Sequence, residues 1–314
     1  MFDLTGKRIW VTGHRGMVGS AAWRALQSRG DVDLVGWTSA ELDLTDRTAT
    51  LDAAVEARPD VVVMAAAKVG GIAANDAAPV EFLADNVRIQ TNVMEAAHAA
   101  DVDRLLFLGS SCIYPRGASQ PMTPDMLMSG PLETTNDAYA IAKLAGITAV
   151  RSYRRQYGRR WIACLPTNLY GPGDNFDLET SHVLPALIRR FDDAARHGLK
   201  AVTLWGTGTP RREFLHVDDL ATAGVRLLTH YDEETPINVG CGEDVTVASL
   251  ADLIARIVGY QGAIAWDTTR PDGVPRKLLD VTPLQELGWS PEILLADGIR
   301  ETWDWFKRQH VEHI

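Results

Sequence analysis

Short apolar runs alternate with helical patterns through the first half of the chain, and this alternation limits the folds open to it. The apolar runs that predict strands are 7–12, 33–37, 60–67, 104–108 and 161–166. The patterns that predict helices are about 20–28, 47–57, 79–100 and 137–157. Apolar strands separated by helices form parallel sheets that are covered on both faces and joined by right-handed crossovers. The sequence therefore predicts an α/β fold with a doubly wound parallel sheet.

A glycine-rich stretch, TGHRGMVG, follows the first predicted strand and opens the first predicted helix. Its glycines Gly13, Gly16 and Gly19 permit a tight turn and a close approach of the backbone to a pyrophosphate. The free N–H groups and the positive dipole end of the helix attract the same anion. A plain tight turn is the alternative, but the strand–turn–helix context favours a dinucleotide site in a Rossmann-type sheet.

Beyond about residue 170 the strand–helix pattern becomes less regular, and Pro and Gly cluster at 171–173 and 206–210. We interpret this half as a smaller substrate-binding region that is interleaved with the last elements of the sheet. The predicted division is a dinucleotide-binding domain over 1–170, with part of 213–240 returning to it, and a mainly substrate-binding domain over 171–314.

The end of the second predicted strand bears on the choice between NAD and NADP. An NAD site usually has a carboxylate about 20 residues after the glycines, where it binds the ribose hydroxyls. Trp37, Thr38 and Ser39 occupy those positions here, and Glu41 follows them late. Arg15 in the glycine loop is available to pair with a 2′-phosphate. The sequence therefore favours NADP(H).

A second motif, YAIAK, places Tyr139 and Lys143 four residues apart on one face of a predicted helix. An ammonium beside a phenol favours the phenolate, so we expect Lys143 to lower the pKa of Tyr139. Taken alone, the pair is better explained as a surface contact between Tyr and Lys on an amphipathic helix. Ser110 and Ser111, however, follow the fourth predicted strand, at the sheet edge where ligands bind. We predict that Ser110 binds the substrate oxygen that Tyr139 protonates.

Together these motifs resemble those of the extended short-chain dehydrogenase/reductases that act on nucleotide sugars, and most closely those of the GDP-L-fucose synthase family. The resemblance is carried by GHRGMVGS, AAAKVGGI, LLFLGSSCIYP, YAIAKLAGI, SHVLPALIRRF, WGTGTPRREFLHVDD and PDGVPRKLLDV, in the family's order and across most of the chain. It implies 3,5-epimerisation and then NADPH-dependent 4-reduction of GDP-4-keto-6-deoxy-D-mannose to GDP-L-fucose.

The resemblance also implies catalytic roles for individual residues. Cys112 would be the base and His182 the opposing acid for inversion at C3 and C5, whose protons the 4-keto group makes acidic. A thiol and an imidazole both have ordinary pKa values within reach of neutral pH. The alternatives are a packed thiol and a histidine that caps a helix or lies on the surface. Ser110, Tyr139 and Lys143 would serve the reduction at C4.

The expected ligand contacts fall into two groups. The cofactor-binding group comprises Gly13, His14, Arg15, Gly16, Met17, Val18, Gly19, Leu108, Gly109, Ser110, Ser111, Tyr139, Lys143, Pro166, Thr167, Asn168, Leu169 and His182. The group implied for the substrate comprises Arg190, Trp205, Arg212, Asp272 and Lys277. The planar fork of arginine suits a diphosphate. For Arg190 and Lys277, a solvated surface charge is the alternative.

Other activities fit these motifs less well. Dehydratases of the same fold carry Asp and Glu beside the strand-end hydroxyl, where this chain has Ser111 and Cys112. A simple 4-epimerase needs no base for C3 or C5. The same chemistry on another 4-keto GDP-deoxy-sugar, such as a colitose precursor, stays open. A non-catalytic NADP-binding sensor is the remaining alternative, although such a protein would be expected to lack Tyr139 or Lys143.

Composition and charge predict the surroundings of the protein. A net charge of −10 disfavours a nucleic-acid partner, which would need a basic face. The chain has no 18-residue apolar run and no signal-peptide pattern, and its three cysteines, which lack metal-ligand spacing, suit a reducing compartment. We therefore expect a cytoplasmic enzyme with a small-molecule substrate, without a metal or a membrane partner. The resemblance adds a homodimer that packs through the helices near 87–100 and 137–157.

Overall fold

The computed structural model describes residues 1–270 and 272–311 of the 314-residue chain. Its strands are β1 (Arg8–Thr12), β2 (Asp33–Val35), β3 (Val61–Met64), β4 (Arg104–Leu108), β5 (Ile162–Pro166), β6 (Asn168–Tyr170), β7 (Ala201–Trp205), β8 (Arg211–Arg212), β9 (Phe214–His216), β10 (Ile237–Val239), β11 (Val245–Thr246), β12 (Ala263–Asp267) and β13 (Arg276–Lys277). Its helices are α1 (Met17–Gln27), α2 (Arg47–Ala57), α3 (Ile72–Ala77), α4 (Pro79–Ala99), α5 (Asp137–Tyr157), α6 (Val183–Arg196), α7 (Val217–His230), α8 (Val247–Val258), α9 (Thr282–Glu286) and α10 (Leu295–Val311).

Within these residues the main sheet has six parallel strands in the order β10-β5-β4-β3-β1-β2. Successive side chains of its central strands enter different cores. Val61 and Val63 of β3 pack in the core that contains α1 and α7 side chains, whereas Val62 and Met64 pack against α4 and α5. Apolar residues are therefore needed on both faces of the strand. The predicted doubly wound parallel sheet is confirmed.

Two strands are shorter than the apolar runs that predicted them. The run 33–37 forms a strand only as far as Val35, because β2 is an edge strand whose pairing with β1 stops there. The run 60–67 leaves the sheet after Met64, and Ala66 donates its N–H to the hydroxyl of Thr12 at 3.1 Å. The chain thus turns from β3 toward the loop that follows β1.

The second half of the chain contributes to two parts of the structure. β10 pairs with β5 in the main sheet, and α7 packs against α1. The remaining elements, including α6, α8, α10 and the paired strands β7 and β12, surround a separate core that includes Phe191 and Ile254. We propose the division into 1–170 with part of 213–240, and 171–314, as a description of these two parts. In the described part of the chain, no helix is long and apolar enough to cross a membrane.

Arg104, the first residue of β4, is a buried cation whose side chain caps the C-terminal end of helix α7. Its guanidinium donates to the carbonyls of Leu227, Leu228 and Tyr231, and to that of Arg160 at 2.8 Å. Burial lowers the pKa of Arg104 to about 10. The side chain satisfies carbonyl groups that the helix end leaves without intrahelical donors.

We expect Arg104→Leu to lower the free energy of unfolding by about 3 kcal/mol, because several buried carbonyls lose their donor at once. Urea denaturation of the purified variant measures the change. Arg88→Leu is the control, since Arg88 is exposed and its pairing with Asp85 spans 3.4 Å. A loss for Arg104→Leu no greater than for the control would contradict this account.

Candidate active site

The carboxyl ends of the parallel strands bring distant parts of the chain to one edge of the main sheet. Gly13 follows β1, Gly109 follows β4 and Thr167 follows β5. Gly109 donates its N–H to the carbonyl of Cys164 at 2.8 Å, and Thr167 donates to that of Val239 at 2.9 Å. The residues predicted from separate motifs therefore lie along a single edge, where open α/β sheets bind ligands.

The glycine loop has the shape that a dinucleotide pyrophosphate requires. Gly13 has φ +66°, and a Cβ there would lie 2.9 Å from the Cα of Ala66. A Cβ on Gly19 would lie 2.1 Å from the carbonyl oxygen of Gly13. Gly16, the N-cap of α1, provides no side-chain acceptor for the first amides of the helix. These donors can bind an anion, so the cradle fits the predicted cofactor.

The region after β2 differs from the sequence interpretation in one respect. Glu41 folds back, and its carboxylate accepts hydrogen bonds from the N–H and hydroxyl of Thr38 at 2.7 and 2.8 Å. These bonds, with a smaller contribution from His14 and Arg15, lower the pKa of Glu41. A carboxylate therefore does lie at the end of β2, although Glu41 comes late in the sequence. Its acceptor oxygen is occupied by Thr38, and Arg15 stays exposed.

His14, in the glycine loop, and Trp37, after β2, have aromatic partners. The ring of His14 packs against Trp23 with centroids 5.1 Å apart, and a Cβ on Gly36 would lie 2.8 Å from its Nδ1. Trp37 meets Trp10 edge to face at 5.5 Å. His14 is thus held beneath the end of β2 by packing.

Ser110 and Tyr139 are joined at the end of β4. Their side chains form a hydrogen bond, which lowers the pKa of Tyr139 in part. Burial has the larger effect and raises that pKa above its usual value, and the charge of Cys112 raises it further. The phenol is therefore protonated at neutral pH, in a position to donate to an oxygen that Ser110 also binds.

Lys143 does not act on Tyr139 as the YAIAK spacing led us to expect. Its Nζ donates to the carbonyl of Leu108 at 2.9 Å and lies 5.8 Å from the centroid of the Tyr139 ring. Burial lowers the pKa of Lys143 to about 8. The expected lowering of the pKa of Tyr139 by the ammonium is wrong for this structure, because the carbonyl holds the ammonium and burial controls the phenol.

Cys112 lies in a short 3-10 turn, Ser111–Ile113, directly after β4. Its N–H donates to the hydroxyl of Ser110 at 3.1 Å, so Ser110 caps the turn and orients the cysteine. The thiol is half-buried, and its charge raises the pKa values of both Tyr139 and Arg212. Cys112 therefore belongs to the same site as the phenol and an arginine from the second half of the chain.

His182 occupies the N-cap position of α6, where the first intrahelical hydrogen bond begins. Its carbonyl accepts from Ala186 at 3.1 Å, while its side chain makes no cap hydrogen bond. The ring is exposed, yet neighbouring protein atoms desolvate it enough to lower its pKa. Gly71 donates to the carbonyl of Thr180 at 2.7 Å, which ties the His182 loop to the loop after β3.

Two of the expected substrate cations lie side by side on neighbouring strands. Arg212 of β8 is in register with Lys277 of β13, and both side chains are half-buried. Desolvation lowers the pKa of Arg212, and the charges of Cys112 and Asp272 oppose that effect. Arg190, also half-buried, lies on α6, the helix that begins after His182.

Trp205 and Asp272 have different surroundings. Trp205 is 64% exposed, and the guanidinium of Arg270 lies over its ring at 5.1 Å. The carboxylate of Asp272 accepts from the N–H and hydroxyl of Thr207 at 2.9 and 2.7 Å. In this structure Asp272 therefore holds the loop after β7, and Trp205 presents a free ring face to solvent beside it.

The stretch after β5 is held by a residue that sequence reasoning overlooked. The carbonyl of Glu213 accepts from the Asn168 amide at 2.8 Å and from the Thr167 hydroxyl at 3.3 Å. Its carboxylate is completely buried. The signal in the sequence was a carboxylate directly between Arg212 and the apolar run that begins at Phe214.

Asp174 is a second overlooked carboxyl near this edge. Burial raises its pKa to about 7, and one of its oxygens has no hydrogen-bond partner within the described residues. A Cβ on the preceding Gly173 would lie 3.3 Å from the Cα of Met17, the first residue of α1. Among residues 1–270 and 272–311, no three His, Cys, Asp or Glu side chains are grouped as ligands of a metal ion.

Comparison with known proteins gives consistent similarities. Residues 9–240 match the model of the NAD dependent epimerase/dehydratase family. The GDP-L-fucose synthase of Escherichia coli (strain K12) is 52% identical over 312 residues, which cover 96% of this chain and 97% of that protein. A GDP-L-colitose synthase of Yersinia pseudotuberculosis is 36% identical, covering 95% of this chain and 97% of its own length.

A solved structure agrees over the whole chain. The GDP-L-fucose synthetase of Naegleria fowleri bound to NADP superposes with a TM-score of 0.91 at 27% identity. The match covers all of this chain and 97% of that one.

Proposed function

Because this chain belongs to the NAD dependent epimerase/dehydratase family and, within it, to the GDP-L-fucose synthases, we propose that it converts GDP-4-keto-6-deoxy-D-mannose into GDP-L-fucose. The reaction comprises epimerisation at C3 and C5, then reduction at C4. The protein is an NADP(H)-dependent enzyme. The observation that best supports both steps is the proximity of Cys112 to Tyr139 and Arg212, since it places a candidate base in the same site as the reducing acid.

In the reduction, Tyr139 supplies the proton that the product oxygen needs. NADPH, when bound along the glycine loop, supplies the hydride for C4. Ser110 and Tyr139 hold O4 between their hydroxyls, and burial keeps the phenol protonated until O4 becomes basic. Lys143, whose ammonium donates to the carbonyl of Leu108, would bind the nicotinamide ribose beside this site.

In the epimerisation, the same oxygen site stabilises a different anion. Removing a proton from C3 or C5 leaves negative charge on O4 as an enolate, which Ser110 and Tyr139 bind as they bind the keto oxygen. Cys112 takes the proton on one face of the sugar, in a site that it shares with Arg212. His182 returns a proton from the opposite face. The inverted carbon then carries a solvent-derived hydrogen.

The nucleotide end of the substrate is assigned to the second half of the chain. Arg190, Arg212 and Lys277 would bind the diphosphate, and the exposed ring of Trp205 would stack on the guanine. Asp272 would act through Thr207, by holding the loop beside Trp205.

The cofactor contacts follow the carboxyl edge of the sheet. The pyrophosphate would bind the glycine loop, the 2′-phosphate would pair with Arg15, and the nicotinamide would lie near Ser110 and Lys143. Pro166 to Leu169 would border the same end, held by the carbonyl of Glu213.

A related substrate is the second candidate. A GDP-L-colitose synthase is among the relatives, and its 36% identity is well below the 52% of the E. coli GDP-L-fucose synthase. The fucose reaction is therefore the better supported assignment. A sensor without catalysis is not favoured, because Ser110, Tyr139 and Lys143 are all present at the end of β4.

We also propose a homodimer in the cytoplasm. The three cysteines are free thiols, which suits a reducing compartment. Helices α4 and α5 pack against each other, and α5 presents an uncharged exposed stripe of Ile141, Ala145 and Thr148. Ile141 is 49% exposed. A second copy packed on this stripe would cover it.

Ile141→Glu should convert the dimer into monomers, because it places a charge in the proposed helix interface. Sedimentation velocity at micromolar concentration measures the state. Val55→Glu is a matched control, since Val55 on α2 is 48% exposed and lies outside the proposed interface. An unchanged sedimentation coefficient for Ile141→Glu would exclude this interface.

Tyr139→Phe should reduce the rate of NADPH oxidation with the 4-keto substrate at least tenfold, because general acid catalysis typically contributes this much or more. NADPH should still bind, since the glycine loop is untouched. Absorbance at the NADPH band and a fluorescence titration measure the two properties. Tyr157→Phe on the same helix serves as control. A Tyr139→Phe variant with more than a tenth of the normal rate would refute the assignment.

Cys112→Ser should abolish deuterium incorporation at C3 and C5 when the reaction runs in D₂O, because a serine hydroxyl is far too weakly acidic to serve as the base. Any slow product should be the sugar that is reduced at C4 without epimerisation. NMR of the sugar protons reads both results. Cys241→Ser, at the other half-buried thiol, should exchange normally.

His182→Asn tests the opposite face in the same experiment. It should leave proton removal in place and impair proton return, giving sugar that is partly exchanged but poorly inverted. Exchange at the normal rate in Cys112→Ser would show that Cys112 is a packed thiol, and His182 would become the candidate base.

A further inference from the structure

Glu213 is a buried carboxylate that the reaction scheme does not use. Its Oε1 accepts the N–H of Gly242 at 2.7 Å, and its Oε2 accepts the N–H of Leu279 at 3.0 Å. The backbone of Cys241 also bonds to it. Burial nevertheless raises the pKa of Glu213. Within residues 1–270 and 272–311, no cation forms an ion pair with this carboxylate.

A buried carboxylate without a cation is a poor way to stabilise a fold. Desolvation opposes the charge, and backbone donors offset that cost only in part. An apolar side chain would avoid the desolvation of a charge, but it would leave the N–H groups of Gly242 and Leu279 without acceptors. We therefore look for the role of Glu213 in the backbone segments that its carboxylate holds together.

The carboxylate joins segments that serve different ends of the proposed substrate. Gly242 follows β10 at the carboxyl edge of the main sheet. Leu279 follows β13, which carries Lys277, and Glu213 itself directly follows Arg212. The carbonyl of Glu213 completes the connection by binding Asn168.

The fit around the carboxylate is close. A Cβ on Gly240, the residue after β10, would lie 2.2 Å from Oε1 of Glu213. A side chain at position 240 would therefore displace the carboxylate or the end of β10.

We propose that Glu213 is a positioning residue that sets the distance between the diphosphate-binding cations, Arg212 and Lys277, and the edge of the main sheet beside which Ser110 and Tyr139 would bind O4. The proposal rests on the proposed function for the identity of the substrate. A nucleotide sugar held at its diphosphate would reach Tyr139 with O4 only if this distance is kept. Glu213 itself contacts neither end of the substrate. It acts through the backbone of Gly242, at the sheet edge, and of Leu279, which follows the strand that carries Lys277.

Glu213→Gln tests the proposal with almost no change in volume. The amide replaces one acceptor oxygen by a donor, so the N–H of either Gly242 or Leu279 loses its partner. We expect the dissociation constant for GDP, measured by calorimetry, to rise about tenfold. The dissociation constant for NADPH should change less than about threefold, because the carbonyl of Glu213 still binds Asn168.

Gly240→Ala reaches the same carboxylate from the other side and keeps its charge. It should weaken GDP binding in the same way. Asp192→Asn is the control for a loss of stability alone, since Asp192 is also buried and accepts from the indole of Trp303 at 2.7 Å in the separate core. It should lower the melting temperature without changing the affinity for GDP.

The GDP measurement separates the two proposals. If the unaltered protein binds GDP but does not turn over the 4-keto sugar, the proposed reaction fails while the role of Glu213 is still tested. If Glu213→Gln and Gly240→Ala bind GDP as tightly as the unaltered protein, the positioning role is refuted. The positioning role would also be refuted if Asp192→Asn, at the same melting temperature as Glu213→Gln, lost as much affinity for GDP as Glu213→Gln does.

Discussion

Parallel pairing of the central strands is the constraint on which the rest of the site depends. Parallel strands have their carboxyl ends at the same edge, so loops from distant parts of the sequence must meet there. Gly13, Ser110 and Thr167 follow β1, β4 and β5, and Gly240 follows β10. The close approach of Gly13 to Ala66 fixes the cradle against the neighbouring strand. The parallel direction of the strands therefore determines where the chemistry takes place.

Much of the fold was predictable because each element carries its own pattern. The helices at 47–57 and 137–157 begin and end where the sequence predicted, and so does β4 at 104–108. β2 ended earlier than its apolar run because an edge strand is limited by its single partner. The residues at strand ends were predictable for the same reason, since a motif placed after a strand lies at the ligand edge.

Most of the contacts that sequence reasoning missed join residues from different segments of the chain. Glu41 reaches Thr38 because the chain reverses after β2, which residue spacing does not reveal. Lys143 shares a helix face with Tyr139, yet its ammonium extends to the carbonyl of Leu108 on another element. Glu213 bonds to Asn168, which precedes it in the sequence, and to Gly242 and Leu279, which follow it. A pattern along the chain predicts which face a residue occupies and leaves its partner undetermined.

Burial also explains why the proposed reaction divides its proton transfers among different side chains. It raises the pKa of Tyr139 and lowers that of Lys143 to about 8, so the pair favours a neutral phenol. A phenol in this state can donate a proton to O4 but is a poor base toward carbon. Epimerisation needs a separate base, and Cys112 sits outside the deepest part of the site, half-buried. One oxygen site can then serve both the enolate and the alkoxide, while the acid and the base differ.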